Sequence, residues 1–132
     1  MKKCTLSKSS STVTHIDWSL DSQCIHTNDL SYEILFYNAE AGTQDPGGCS
    51  SRRDEVWHTW TLPIGRPVMG TWPAGVDGSD INAVDRSHQP IEDGYHLVAT
   101  ADDFSKVKIF RYPAVEKYSK SVDGTGHSSH VT

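Results

Sequence analysis

Residues 80–113 restrict this chain to a narrow set of folds. They hold three short apolar runs separated by polar turns: Ile81, Ala83 and Val84; then Tyr95, Leu97, Val98 and Ala99; then Val107, Ile109, Phe110 and Tyr112. Each run has strand length and is rich in β-branched or aromatic residues, which suit a pleated, half-buried surface. Asp102-Asp103-Phe104-Ser105 lies between the second run and the third. Its short acidic and hydroxyl side chains are of the kind that bond their own backbone in a turn. Three consecutive antiparallel strands make a meander.

The same order occurs upstream. Val13, His15 and Asp17 alternate with Thr14, Ile16 and Trp18; residues 19–22 are turn-like; residues 23–27 form a second short run. Asn28-Asp29-Leu30-Ser31 makes the next turn, and residues 32–37, YEILFY, carry the strongest strand signal in the chain. The copies align. Ile16-Asp17-Trp18-Ser19 falls over Val84-Asp85-Arg86-Ser87, Ile25-His26-Thr27 over Val98-Ala99-Thr100, and residues 33–39 over 108–114. A third copy opens at the end, where residues 127–132 match residues 9–14. A repeated meander is the unit of a β-propeller, so the expectation is an all-β chain: a partial β-propeller of about two blades, each an antiparallel four-stranded meander.

The expected organisation is a polar lead-in or leftover outer strand over residues 1–11, a first blade over 12–72 with a long loop at 41–54, a second blade over 73–122, and the start of a third at 123–132. Residues 117–122 are the expected outer fourth strand of the second blade. In the connector, residues 55–62 and 68–72 read as further strands, broken by Pro63 and Pro67, and no helix is expected. Trp57, Trp60 and Trp72 put three of the four tryptophans here, as core or inter-blade packing rather than a ligand platform. The chain ends as its third copy enters a strand, which reads as a fragment whose open edges leave it marginally stable.

Composition narrows the function. The net charge of −5 argues against a nucleic-acid binder, which needs a basic face for phosphate. A hydrophobic content of 36% is low for a compact globule, so part of the apolar partner surface is expected outside this chain. Cys4, Cys24 and Cys49 are odd in number and widely spaced, which fits free thiols in a reducing compartment rather than a disulfide framework or zinc module. No apolar stretch reaches the length of a membrane span and no signal sequence follows the first lysines, so a cytosolic location and no membrane partner are expected.

No chemistry-bearing pattern stands out. His15, His26, His58, His88, His96, His127 and His130 are dispersed without a cysteine pair at ligand spacing, so neither metal nor cofactor is expected. Asp102-Asp103 reads as a turn device with Asp29, rather than a paired acid and base. Ser128-Ser129-His130 lacks a nucleophile elbow. Gly75 and Gly78 lack the lysine and strand-to-helix context of a phosphate loop. Arg52-Arg53, and Lys106 with Lys108, are the candidate basic patches for an acidic partner, against a plain reading as solvated surface charge.

Four stretches carry a resemblance: residues 70–84 (GTWPAGVDGSDINAV), Arg86-Ser87-His88, residues 101–107 (ADDFSKV) and residues 126–132 (GHSSHVT). They resemble the WD-repeat region of the echinoderm microtubule-associated protein-like family, and Thr14-His15-Ile16-Asp17-Trp18-Ser19 with Tyr32-Glu33-Ile34-Leu35 resembles the preceding blade. The similarity runs from about Ser9 to Thr132. Residues 72–84 are its specific part, because generic WD repeats do not carry them. The resemblance implies a non-enzymatic scaffold, part of a microtubule-associated protein that binds tubulin and microtubules, influences their organisation and resides on the cytoplasmic cytoskeleton. It also implies that His127, at a strand-entry Gly-His, is structural and bonds within its blade. Members of the family carry an N-terminal coiled coil, a basic region and many more blades; neither the coiled coil nor the basic region is in this sequence. The loop at residues 42–53 is longer and more basic than the family pattern. Two other readings compete: a generic WD-repeat adaptor for another protein partner, and a small hydrolase using aspartate and histidine.

Overall fold

The computed structural model describes residues 1–132, which pack as two compact units, Met1–Thr59 and Trp60–Thr132. Each unit is built on one four-stranded antiparallel sheet with its strands in chain order. The first sheet contains β1 (Val13–Trp18), β2 (Cys24–Asp29), β3 (Ile34–Asn38) and β4 (Thr43–Gln44). A single helical turn, α1 (Gly48–Ser51), follows. The second sheet contains β5 (Ile81–Arg86), β6 (His96–Asp102), β7 (Val107–Tyr112) and β8 (Val122–Gly124).

The repeat seen in the sequence is a repeat of register. Val13 pairs with Asp29 and His15 with Asn28, leaving Thr14 bulged; Ile81 pairs with Asp102 and Ala83 with Ala101, leaving Asn82 bulged. Ile16 faces Thr27 as Val84 faces Thr100. One detail of the alignment is corrected. Thr27 pairs with Leu35 and Thr100 with Lys108, so Leu35 is the counterpart of Lys108, two residues from the expected match. A slip of two keeps every side chain on its face, so alternation alone does not detect it. The turns settle the matter, since five residues separate the paired positions in both copies: 29–33 between Asn28 and Ile34, and 102–106 between Ala101 and Val107.

The connector departs from expectation. Residues 55–62 do not form a strand; a single bridge joins Ser19 to Trp57. Arg66–Thr71 is a 3-10 helix, with Pro67 in its first turn, where a missing N–H costs nothing. Gly78–Asp80 is a second short 3-10 turn, so helical turns exist where none is expected. The outer strand of the second sheet starts at Val122 rather than within 117–121. The reason is that Gly70 draws residues 114–119 inward: its N–H donates to Ala114 O at 2.7 Å and its carbonyl accepts Ser119 N–H at 3.1 Å. A Cβ on Gly70 would stand 2.2 Å from Glu116 O, so only glycine allows that approach.

The first unit buries Cys24, Ile25, Phe36, Tyr37 and Trp57. α1 lies so close to β3 that a Cβ on Gly48 would overlap the Phe36 ring at 2.4 Å. The second unit buries Leu62, Val68, Ile81, Val84, Val98 and Phe110. Burial differs at matched positions: Val84 is 5% exposed and its counterpart Ile16 is 55% exposed. In the second unit, connector residues lie against that face of the sheet, with the Trp60 ring 6.2 Å from Tyr112.

Candidate functional site

The turn aspartates divide into two kinds. Asp29 Oδ1 accepts from Ser31 N (3.0 Å), Ser31 Oγ (2.8 Å) and Glu33 N (3.2 Å), and Asp102 Oδ1 accepts from Phe104 N and Lys106 N, both at 2.9 Å. Both close the corresponding turn of their sheet, so Asp102 is committed to its own backbone. Asp103 does something else. Its Oδ1 accepts from Asn82 Nδ2 at 2.9 Å and lies 2.8 Å from His130 Nδ1, and these two contacts, Asn82 first, lower its pKa. It therefore ties residue 130 to the bulge of β5 instead of stabilising a turn. His127 is exposed, and the imidazole beside Asp103 is that of His130.

Of the other histidines, His96 Nδ1 lies 2.8 Å from Ser87 O, and His58 and His88 are exposed. His26 is fully buried, stacked on Trp57 at 3.6 Å, with Nε2 2.9 Å from Asp17 Oδ2. Thr59 Oγ1 donates to Asp17 Oδ1 at 2.7 Å. Reading the sequence missed this buried network. Its signal was the alternation of β1, which puts Asp17 inward, together with the turn at 19–22, which sets it opposite His26. No three His, Cys, Asp or Glu side chains come together as a metal-binding group. Cys4, Cys24 and Cys49 are free thiols; Cys24 is buried and donates to Tyr37 O at 3.3 Å, and burial raises its pKa.

The two basic patches differ in availability. Arg52 is held between Asp45 (3.3 Å) and Glu55 (3.2 Å), so its charge is answered locally. Lys108 reaches only Asp123, at 3.8 Å, beyond hydrogen-bond distance. Lys106 lies in the turn that Asp102 closes, next to Phe104, which is 54% exposed. Both lysines line clefts in the second unit. One, of about 240 Å³, is walled by Trp72, Phe110 and Tyr118; the other, of about 250 Å³, by Val76, Phe104 and Lys106; Pro73 and Lys108 belong to both.

The wall of this groove is set by the residues before β5. Trp72 Nε1 donates to Pro63 O at 3.3 Å, and Gly78 makes room for the indole, since a Cβ there would stand 2.8 Å from it. Asp77 caps the turn after the tryptophan, accepting from Ser79 N at 2.8 Å, while its own N–H donates to Asp80 Oδ2 at 3.1 Å. Aromatic walls with a cationic rim make a surface suited to a peptide carrying an apolar side chain beside a carboxylate.

The family model of the echinoderm microtubule-associated protein second β-propeller matches residues 1–132. This chain belongs to the echinoderm microtubule-associated protein family. It is 45% identical over 123 residues to the 77 kDa echinoderm microtubule-associated protein of Lytechinus variegatus, and 46% identical over 123 residues to echinoderm microtubule-associated protein-like 2 of Rattus norvegicus; each match covers 93% of this chain. It is 43% identical over 130 residues, 98% of the chain, to echinoderm microtubule-associated protein-like 4 of Xenopus laevis. The chain spans 18% of the length of the first two relatives and 13% of the third. In this family the two sheets are propeller blades of the WD-repeat type, which accounts for their matching bulges and Asp-closed turns. No helix is long and apolar enough to cross a membrane.

Proposed function

We propose that this chain is a non-enzymatic WD-repeat scaffold that contributes to tubulin and microtubule binding and acts in the cytoplasm, on the cytoskeleton. Residues 12–72 and 73–122 serve as successive blades, with β8 running two residues past that boundary and the tail leading into a next blade. The observation that carries the reading is the match of the whole chain to a propeller of microtubule-associated proteins. The groove between Trp72, Pro73, Phe104 and the two lysines supplies a contact of the right polarity for an acidic protein surface.

Co-sedimentation with polymerised microtubules tests it. The chain is expected in the pellet, and Lys106→Glu with Phe104→Ala is expected to weaken pelleting about tenfold, as for a variant that removes a charged and an aromatic contact. Pelleting no greater than that of an unrelated propeller overturns the reading. One observation favours an adaptor for a different, basic partner: a cleft of about 530 Å³ in the first unit, where exposed Leu20 and Val56 adjoin Asp21, Asp54 and Glu55. On that reading a basic apolar peptide binds the chain and microtubules do not.

A further inference from the structure

Residues 1–9 have no regular secondary structure, yet the lead-in touches the first sheet at successive points. Lys3 Nζ lies 2.7 Å from Glu40 Oε2. Cys4 fills the space over Gly42, where a Cβ would stand 3.0 Å from its sulfur. Ser9 Oγ donates to Asp29 Oδ2, Ser10 donates to Glu33 through N (3.4 Å) and Oγ (3.2 Å), and Leu30 N–H donates to Thr12 O at 3.0 Å. The lead-in is a strap, and two of its fasteners are serine hydroxyls set against carboxylates.

We propose that Ser9 is a phosphorylation site and that phosphate there unfastens the strap. The surroundings suit a protein kinase, which takes its substrate as an accessible, irregular chain. Lys8 directly precedes Ser9, Lys2 and Lys3 lie upstream, and most of the segment is exposed. In the transfer, Ser9 Oγ attacks the γ-phosphorus of a nucleoside triphosphate held by the kinase. The bond to the β–γ bridging oxygen breaks, the nucleoside diphosphate leaves, and the hydroxyl proton passes to the kinase's base. A donor to Asp29 has then become a dianion facing it, with Glu33 adding a second negative neighbour.

The strap is the partner that moves. Asp29 keeps three other donors, Ser31 N, Ser31 Oγ and Glu33 N, which hold it in the turn. Residue 9 has no sheet pairing to hold it. Release frees Glu33 and Glu40 from Ser10 and Lys3, so a covered strip of the first sheet becomes available to a partner under kinase control.

Two measurements on the full chain test this. In the first, a basophilic serine/threonine kinase and ATP are applied and the phosphate is mapped by mass spectrometry; modification at Ser9 is expected, and its absence there overturns the proposal. In the second, phosphoserine is installed at position 9 and amide exchange is followed at Leu30, whose N–H the strap holds through Thr12. Exchange is expected to quicken about tenfold, as for a locally opened segment. Phosphoserine at Ser7, which tests added charge alone, is expected to leave it within about twofold of the unmodified chain. Unchanged exchange at position 9, or equal acceleration from both positions, overturns the latch.

Discussion

Asp17 and His26 face each other across the β1–β2 pair, Oδ2 to Nε2 at 2.9 Å, and neither side chain meets solvent. Burial lowers the pKa of the imidazole, and the hydrogen bond and charge of Asp17 oppose but do not reverse it. His26 is therefore neutral in the fold and donates to an Asp17 carboxylate. The unfolded chain takes up a proton at an ordinary value near 6.5, whereas the folded chain does so only at lower pH. Stability is complete above that value, falls as the pH drops below it, and levels off beneath the lowered folded value. Thermal melts from about pH 7.5 to about pH 5 are expected to show a falling midpoint. His26→Gln is expected to flatten the slope, and an equal slope in that variant would assign it to other groups.

Removing the carboxylate tests the same network at fixed pH. Asp17→Ala removes the acceptor of the buried His26 Nε2 and of the partly buried Thr59 Oγ1. The expected loss is about 1–3 kcal/mol in urea unfolding, the range for leaving a buried donor without its acceptor. Asp85, its counterpart in the second sheet, is exposed and lies across from Ala99. Asp85→Ala is expected to cost less than about 0.5 kcal/mol, as for other surface positions.

That contrast shows how far sequence reading reaches. The β5–β6–β7 meander, its upstream copy and the roles of Asp29 and Asp102 were legible, because alternation and turn chemistry are local. The pairing of residues 108–114 was misplaced by two because a slip of two is silent to alternation. The groove was legible only as its parts, Lys106 with Lys108 and the run at 72–84. What joins them is the meeting of Pro73 with Lys108, which line both clefts, a contact between distant segments that no local pattern announces. The Asp17–His26 pair was hidden because both residues also read well as surface. The connector tryptophans gave no indication that Trp57 stacks on an imidazole while Trp60 and Trp72 belong to the other unit.

The turn carboxylates predict a parallel response in the two sheets. Asp29→Ala removes the acceptor for two backbone amides and two hydroxyls, and Asp102→Ala removes the acceptor for two backbone amides. Each is expected to destabilise its sheet by about 1–3 kcal/mol. Burial raises the Asp29 pKa, but the donors from Ser9, Ser31 and Glu33 outweigh it and hold the carboxyl at about 2. Its contribution is thus present above the unfolded carboxylate value near 3.9 and is lost as the pH falls from there toward about 2. Acid titration of chemical shifts at Asp29 reads the low value directly, and a midpoint near 4 would show that the donors do not hold it.

Asn82 gives the bulge of β5 a purpose. As the unpaired residue, it turns its side chain away from the ladder to donate to Asp103 Oδ1 and to Val131 O, both at 2.9 Å. The Val131 N–H donates to Asp102 O at 3.0 Å, so residue 131 is gripped through both its amide and its carbonyl. Asn82→Ala is expected to raise amide exchange at Val131 about tenfold while the central amides of β6 and β7 stay protected, because it opens a local clasp and leaves the sheet intact. Asp103→Asn gives a second readout. It keeps the shape but weakens the contact with His130, so its effect at Val131 is expected to be smaller than that of Asn82→Ala. Equal protection at Val131 in all three proteins would mean that the Asp102 carbonyl alone holds the segment, and that the bulge is not what captures it.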